Sequence, residues 1–215
     1  MTKLEALIFD LDGTLLHTLP DLAACANEAM VQMGFPEHSL VEYERLMGYG
    51  GRWLIEQSLP KGATAEQRAR AFELWRSLYI EGDYPLTMPF PGVADMVCTV
   101  RERGLKTGVL SNKFHEGACV LVSRHFPGAF DEVRGDKPPA PRKPDPTTLL
   151  EMLNRLGVSP DAAAYVGDAN VDLQTARNAG VMAVGVAWGY DHANPLRIGD
   201  LDVFIREPSE LCNLL

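Results

Sequence analysis

The sequence predicts an α/β protein: a parallel sheet with helices on both faces and a helical insertion near its start. Three observations predict it. Apolar segments of strand length alternate with segments of helical period over most of the chain. Three of the strand-like segments run straight into polar clusters, which is where open α/β sheets bind their ligands. From about residue 20 to residue 88 the alternation stops and only helical spacings recur.

The first strand is read at 6–9, with others at 105–110 (LKTGVL), 163–166 (AAYV) and 181–186 (VMAVGV). A short edge strand is expected at 202–205 and a weaker one at 130–133. Between them, helical patterns cover 93–102 before Gly104, 116–125, 147–156 before Gly157, and 173–178 near Gly180. In the insertion, Leu19, Leu22, Ala23, Ala26 and Met30 share one helical face. Further helices are expected at 40–46, 52–59 and 65–79, the last carrying Phe72, Trp75, Leu78 and Tyr79 as its core. Breaker-rich stretches at 17–20 and 85–91 (PLTMPFP) read as hinges. The organisation is therefore an α/β core of 1–17 and 88–215 with 18–87 inserted as a helical domain.

Bulk properties narrow the function. The 215 residues are 46% hydrophobic and 23% charged, as in an ordinary soluble globular protein. The net charge of -9, without a basic run, argues against nucleic acid or an anionic membrane as partner. Cys25, Cys98, Cys119 and Cys212 form no CxxC pair and no tight cluster with histidine, so they read as reduced thiols of a cytoplasmic protein. No leader or membrane-spanning stretch is expected, and nothing in the pattern asks for more than a monomer or homodimer.

The stretch IFDLDGTLL, residues 8–16, ends a buried apolar run in two aspartates, Asp10 and Asp12. Unpaired buried carboxylates are costly, so other strand ends must compensate them. The second strand runs into Ser111, Asn112 and Lys113, and the AAYV strand runs into Gly167, Asp168, Asn170 and Asp172. PRKPDP adds Lys143 just before a helix. Asp10 and Asp12, two apart in extended chain, are expected to point the same way. Asp168 joins Asp10 as a ligand set for Mg²⁺, a hard cation that takes carboxylates, waters and phosphate oxygens. The Ser111 hydroxyl, an Asn112 backbone N–H and Lys143 suit the oxygens of a phosphoryl group. Asp10 would attack phosphorus, while Asp12 protonates the leaving oxygen and later activates water.

These residues resemble the haloacid dehalogenase superfamily. The set Asp10-Leu-Asp12-Gly13-Thr14, Ser111-Asn112, Lys143 and Gly167-Asp168 with Asp172 matches all four of its motifs, in order, over nearly the whole core. The resemblance implies a Rossmann-like core with Asp10 as phospho-accepting nucleophile and Asp12 as general acid/base. Ser111 and Lys143 would bind the phosphoryl group. Asp10, the Asp12 backbone carbonyl and Asp168 would hold Mg²⁺, with Asp172 as a further ligand or through water. The insertion resembles a type 1 cap that closes over the site. Finer features resemble phosphoglycolate phosphatases: Pro20-Asp21-Leu22, Pro89-Phe90-Pro91-Gly92-Val93, Ser111-Asn112-Lys113 and Val186-Ala187-Trp188-Gly189-Tyr190. Two positions depart from the pattern, His17-Thr18 in place of Asp-Ser and Ala169 in place of Ser or Thr. The first bears on substrate identity; the second leaves the two acids at their spacing.

The expected activity is Mg²⁺-dependent hydrolysis of a small phosphorylated metabolite, 2-phosphoglycolate or a sugar phosphate. A phosphomutase of the β-phosphoglucomutase type and a non-catalytic binding protein are the alternatives, and Asp12 argues against a dehalogenase. Gly48-Tyr49-Gly50-Gly51-Arg52 reads either as a cap loop that dips to the site, with Arg52 meeting an acidic leaving group, or as a flexible connector. Lys113 reads either as a substrate contact or as an ordinary solvated lysine. His17, at the hinge, reads as structural rather than as a contact to entering substrate, and His115 and His125 read as surface or helix-end residues.

Overall fold

In this computed structural model, residues 3–190, 196 and 198–215 are described. β1 (Ala6–Phe9) is buried on both faces, and its alternate side chains enter two different cores. Leu7 and Phe9 face one side, with α5 (Val93–Glu102) and α6 (His115–His125). Ala6 and Ile8 face the other, with α7 (Thr147–Leu156) and α8 (Asn170–Ala179). Double-sided burial is why the segment reads as an unbroken apolar run.

The other core strands are β4 (Lys106–Phe114), β5 (Glu132–Asp136), β6 (Ala163–Gly167), β7 (Met182–Val186) and β8 (Val203–Ile205). All pairings are parallel, in the order β5-β4-β1-β6-β7-β8. From β1 the chain builds outward to β4 and β5, then returns to the opposite side for β6, β7 and β8. This reversal puts the C-terminal end of β1 at the switch point, with β4 and β6 beside it. The registers Phe9↔Val109 and Phe9↔Val166 set the end of β1 beside both neighbours, with β6 stopping one residue further on and β4 running past it to Phe114.

Between β2 (Leu16–His17) and β3 (Met88–Pro89), an antiparallel ribbon, lie α1 (Leu19–Gln32), α2 (Leu40–Glu44), α3 (Gly51–Ser58) and α4 (Ala65–Glu81). Capping boxes start α2 (Ser39 with Glu42) and α4 (Thr64 with Gln67). These helices bury Met30, Tyr43, Leu54, Ile55, Trp75 and Tyr79. Asp21, buried in the first turn of α1, accepts from the Leu86 N–H at 3.0 Å and the Thr87 hydroxyl at 2.6 Å. One carboxylate thus joins the outgoing and returning chain.

Several boundaries differ from the sequence reading. β4 continues through Ser111, Asn112 and Lys113 to Phe114, because these polar side chains are buried and partnered. β5 lies at Glu132–Asp136, two residues later than expected, as a half-buried edge strand whose charged side chains hide its period. α8 starts at Asn170, because Asp172 accepts from the Ala169 N–H and caps it.

Asp21→Ala deprives the buried Thr87 hydroxyl and the Leu86 N–H of their acceptor. The expected loss is about 1–3 kcal/mol, read as a lower urea midpoint with an unchanged m value; an unaltered midpoint would contradict this role of Asp21.

Candidate active site

Asp10 follows β1, and its N–H donates to Val166 O at 2.9 Å, so it leaves the sheet at the switch point. The chain then bends, and Asp12 takes different partners. The strand stops at Phe9, so the two aspartates lie beyond regular extended chain. Both aspartates still line one cavity of about 30 Å³, with Ser111, Asn112, Lys113 and Lys143. Its roof is the glycine-rich loop before α3, together with Leu54 and Trp75.

Lys143 is buried, with Nζ 2.9 Å from Asp10 Oδ1, 2.7 Å from Asp172 Oδ1 and 3.0 Å from the Tyr165 hydroxyl. The Tyr165 hydroxyl donates to Leu110 O at 2.6 Å. Burial opposes the charge of Lys143, but Asp10 and Asp172 outweigh it and hold its pKa well above the ordinary value. Asp168 accepts from the Thr14 hydroxyl at 2.8 Å and the Tyr190 N–H at 2.9 Å. Gly13 lets the chain turn beneath it: its φ is +93°, and a Cβ there would lie 2.4 Å from Asp168 Oδ2. Asp12 accepts from the Thr18 hydroxyl at 2.7 Å and pairs with Lys113 Nζ at 3.0 Å.

Asp10, Asp168 and Asp172 each offer a carboxylate oxygen, all within 4.8 Å of one another. A single lysine faces them. Asp10 Oδ1 is buried with the Lys143 ammonium at 2.9 Å and no second donor among the described residues. Burial, opposed by Lys143 and reinforced by Asp172 and Asp12, raises the Asp10 carboxyl to about 6. Burial and the neighbouring Asp172 and Asp10 raise Asp168 to about 8. Three clustered carboxylates, an unsatisfied oxygen and one cation fit a divalent metal ion. The Asp12 carboxylate, turned to Lys113, is outside this cluster.

The structure resolves several open readings. Lys113 is buried rather than solvated, with Nζ 4.5 Å from the centre of the Tyr79 ring as well as paired to Asp12. The glycine-rich loop is packed against the core rather than loose. Gly48 O accepts from the Asn112 side chain at 3.1 Å, and a Cβ on Gly50, whose φ is +85°, would lie 3.0 Å from Asn112 O. Arg52 does not line the cavity of the aspartates. Near the start of α3 it is exposed, its guanidinium 4.0 Å over the Phe72 ring, and it lines an adjoining cavity. Ser111 is in the cavity, its Oγ accepting from the Lys113 N–H at 3.3 Å.

Sequence reasoning missed the Asn112 side chain. Its amide donates to Gly48 O and Lys143 O, and its Oδ1 accepts from the Lys143 N–H at 3.0 Å, joining the roof loop to the segment that carries Lys143. It also missed Thr18, Tyr165 and Tyr190. The Tyr190 hydroxyl accepts from the N–H groups of Thr18 and Leu19 at 2.8 and 2.9 Å. Its partner lies 171 residues away in the chain, a separation no local pattern signals.

Comparison with known proteins places the fold and site in a family. The profile of the haloacid dehalogenase-like hydrolases matches residues 7–186, and the chain belongs to that family. Among relatives, a phosphoglycolate phosphatase of Pseudomonas putida is 34% identical, over 88% of this chain and 71% of its own. Another phosphoglycolate phosphatase, from Aquifex aeolicus, is 30% identical over 99% of this chain and 97% of its own. A solved structure from Lactobacillus delbrueckii subsp. bulgaricus superposes with a TM-score of 0.89 at 31% identity, covering 99% of this chain and 98% of that one.

Asp10 and Asp168 have pKa values raised above the ordinary 3.8, so the metal-free fold holds protons that the unfolded chain releases. Its stability is therefore greatest below about pH 4 in this term and falls as pH rises through about 6 to about 8. In EDTA the protein should melt at a lower temperature near pH 8.5 than near pH 6, and a divalent cation should restore more stability at the higher pH. A cation-independent melting temperature at both values would contradict the site.

Proposed function

We propose that this chain is a Mg²⁺-dependent phosphatase that hydrolyses a small phosphate monoester, 2-phosphoglycolate or a sugar phosphate, through an aspartyl-phosphate on Asp10. The observation that carries the reading is the division of two neighbouring aspartates between two environments. Asp10 lies against Lys143 and the acidic cluster, while Asp12 is held by Thr18 and Lys113. Carboxylates in different surroundings can take different roles in one reaction.

In the first step an Asp10 oxygen forms a bond to phosphorus as the ester P–O bond breaks, and Asp12 gives its proton to the departing alkoxide. In the second, Asp12 takes a proton from water as that water attacks phosphorus and the bond to Asp10 breaks. Lys143 and Ser111 orient the phosphoryl oxygens, with the Asn112 N–H and Lys113 beside them. Mg²⁺, when bound, supplies charge neutralisation at those oxygens, and Asp10, the Asp12 backbone carbonyl, Asp168 and Asp172 would hold it. Residues 18–87 act as a cap that excludes water over the core of 1–17 and 88–215. No described helix is long and apolar enough to cross a membrane, and the reading places the protein in the cytoplasm as a monomer or homodimer.

Phosphate release from a panel of esters, with Mg²⁺ and with EDTA, tests the proposal. One ester should be hydrolysed far faster than the rest, and only with Mg²⁺; full activity in EDTA refutes it. Asp10→Asn should abolish turnover while melting normally. Asp12→Asn should accumulate phosphoprotein and slow steady-state release by about 10²–10⁴-fold; an unchanged rate removes Asp12 from the mechanism.

A further inference from the structure

Beside the cavity of the aspartates lies a second one of about 470 Å³, and the two share Gly51, Trp75, Asn112 and Phe114 as walls. The first, at about 30 Å³, is much the smaller of the two, and the second is the neighbouring space open to a leaving group. The second cavity is basic in a chain of net charge -9: Arg52 and Arg76 line it from α3 and α4, and Lys137 and Arg142 from the chain that follows β5. Like charges thus face each other across the boundary between insertion and core.

Their compensation is incomplete. Among the described residues, Arg52, Arg76 and Lys137 have no carboxylate within ion-pair distance, and Arg142 has only Asp136, at 3.6 Å. Aromatic rings hold the two arginines of the insertion instead: Arg52 over Phe72 at 4.0 Å and Arg76 over Phe114 at 6.0 Å. Glu116 and Asp136 are the acidic groups in the lining, which leaves an excess of cations. In the first cavity both lysines are already paired, Lys143 with Asp10 and Asp172, Lys113 with Asp12.

We infer that the second cavity is an anion subsite: it takes a phosphate or carboxylate carried by the leaving group, several bonds from the reacting phosphorus. An anion there lies between the cations of the insertion and those of the core, and relieves the repulsion that closure creates. The preferred substrates are therefore esters that carry a second anionic group and are longer than phosphoglycolate. The inference rests on the phosphatase reading above and names the substrate class of that site.

Paired esters test it, each pair differing by the distal anion. Fructose 6-phosphate against fructose 1,6-bisphosphate reads a distal phosphate, sorbitol 6-phosphate against 6-phosphogluconate reads a distal carboxylate, and 2-phosphoglycolate is the short ester with a second anionic group. In at least one pair the ester with the second anionic group should have a kcat/KM about tenfold higher, mainly through KM. Arg76→Gln and Lys137→Gln should each cut that ratio about fivefold, and Arg76→Lys should keep most of it. Equal kcat/KM within both pairs, a preference for 2-phosphoglycolate over both longer esters with a second anionic group, or a ratio unmoved by both glutamine variants would overturn the subsite. If no ester is hydrolysed, the phosphatase reading has failed instead, and calorimetry of the Asp10→Asn protein decides the subsite. There, tighter binding of fructose 1,6-bisphosphate than of fructose 6-phosphate, lost in Asp10→Asn/Arg76→Gln, supports it; equal affinity rejects it.

Discussion

The buried ammonium of Lys143, set between Asp10 and Asp172, is the interaction on which the rest of the site depends. Each of these charges would be prohibitive alone in the interior, and removing one partner of such a cluster typically costs about 3–5 kcal/mol. Together they oblige three separate parts of the chain to meet: the end of β1, the segment before α7 and the first turn of α8. The Tyr165 hydroxyl and the Asn112 side chain extend the same network to β6 and β4. The parallel registers on both sides of β1 make that meeting possible, because they carry β4 and β6 past the end of β1 on either side of Asp10.

The cluster is over-supplied with acid, and this excess suits it to a divalent cation. A fold seeking stability alone would pair each carboxylate or replace it with an apolar side chain. Here three carboxylates face one lysine, and burial lifts two of them well above their ordinary range. Asp12, two residues from Asp10, escapes the cluster because the chain bends after β1 and delivers it to Lys113 and Thr18. Proximity in sequence and separation in environment together make two roles available from one short loop.

The inserted helices are tied to this centre by backbone as much as by side chains. The glycine-rich loop can press on Asn112 only where its residues lack a Cβ, and Asn112 passes the contact to the Lys143 segment. Trp75 of α4 packs edge-on against Phe114 of β4 at 6.0 Å, so the wall between the two cavities is built from both parts of the molecule. Opposed cations beyond that wall make the closed arrangement sensitive to an anion, whereas the Asp21 contact at the base of the insertion is indifferent to one.

The sequence by itself determined the strands of the sheet and the helices of both faces, and it marked the run of helices between β2 and β3. Each of these leaves a local mark: a period of two or 3.6, a glycine after a helix, or polar residues at the end of an apolar run. It did not mark β5 correctly, since an edge strand with charged side chains has little period, and it stopped β4 at Leu110 because buried polar residues look like a strand end. Only the tertiary structure decided that Lys113 is buried, that Arg52 belongs to the second cavity, that Asn112 joins loop to lysine, and that Tyr190 anchors the start of α1. The reason is physical: a side chain's burial and partners depend on which distant segments arrive beside it. For Asn112 and Tyr190 those segments lie from 31 to 172 residues away, beyond the reach of any local pattern.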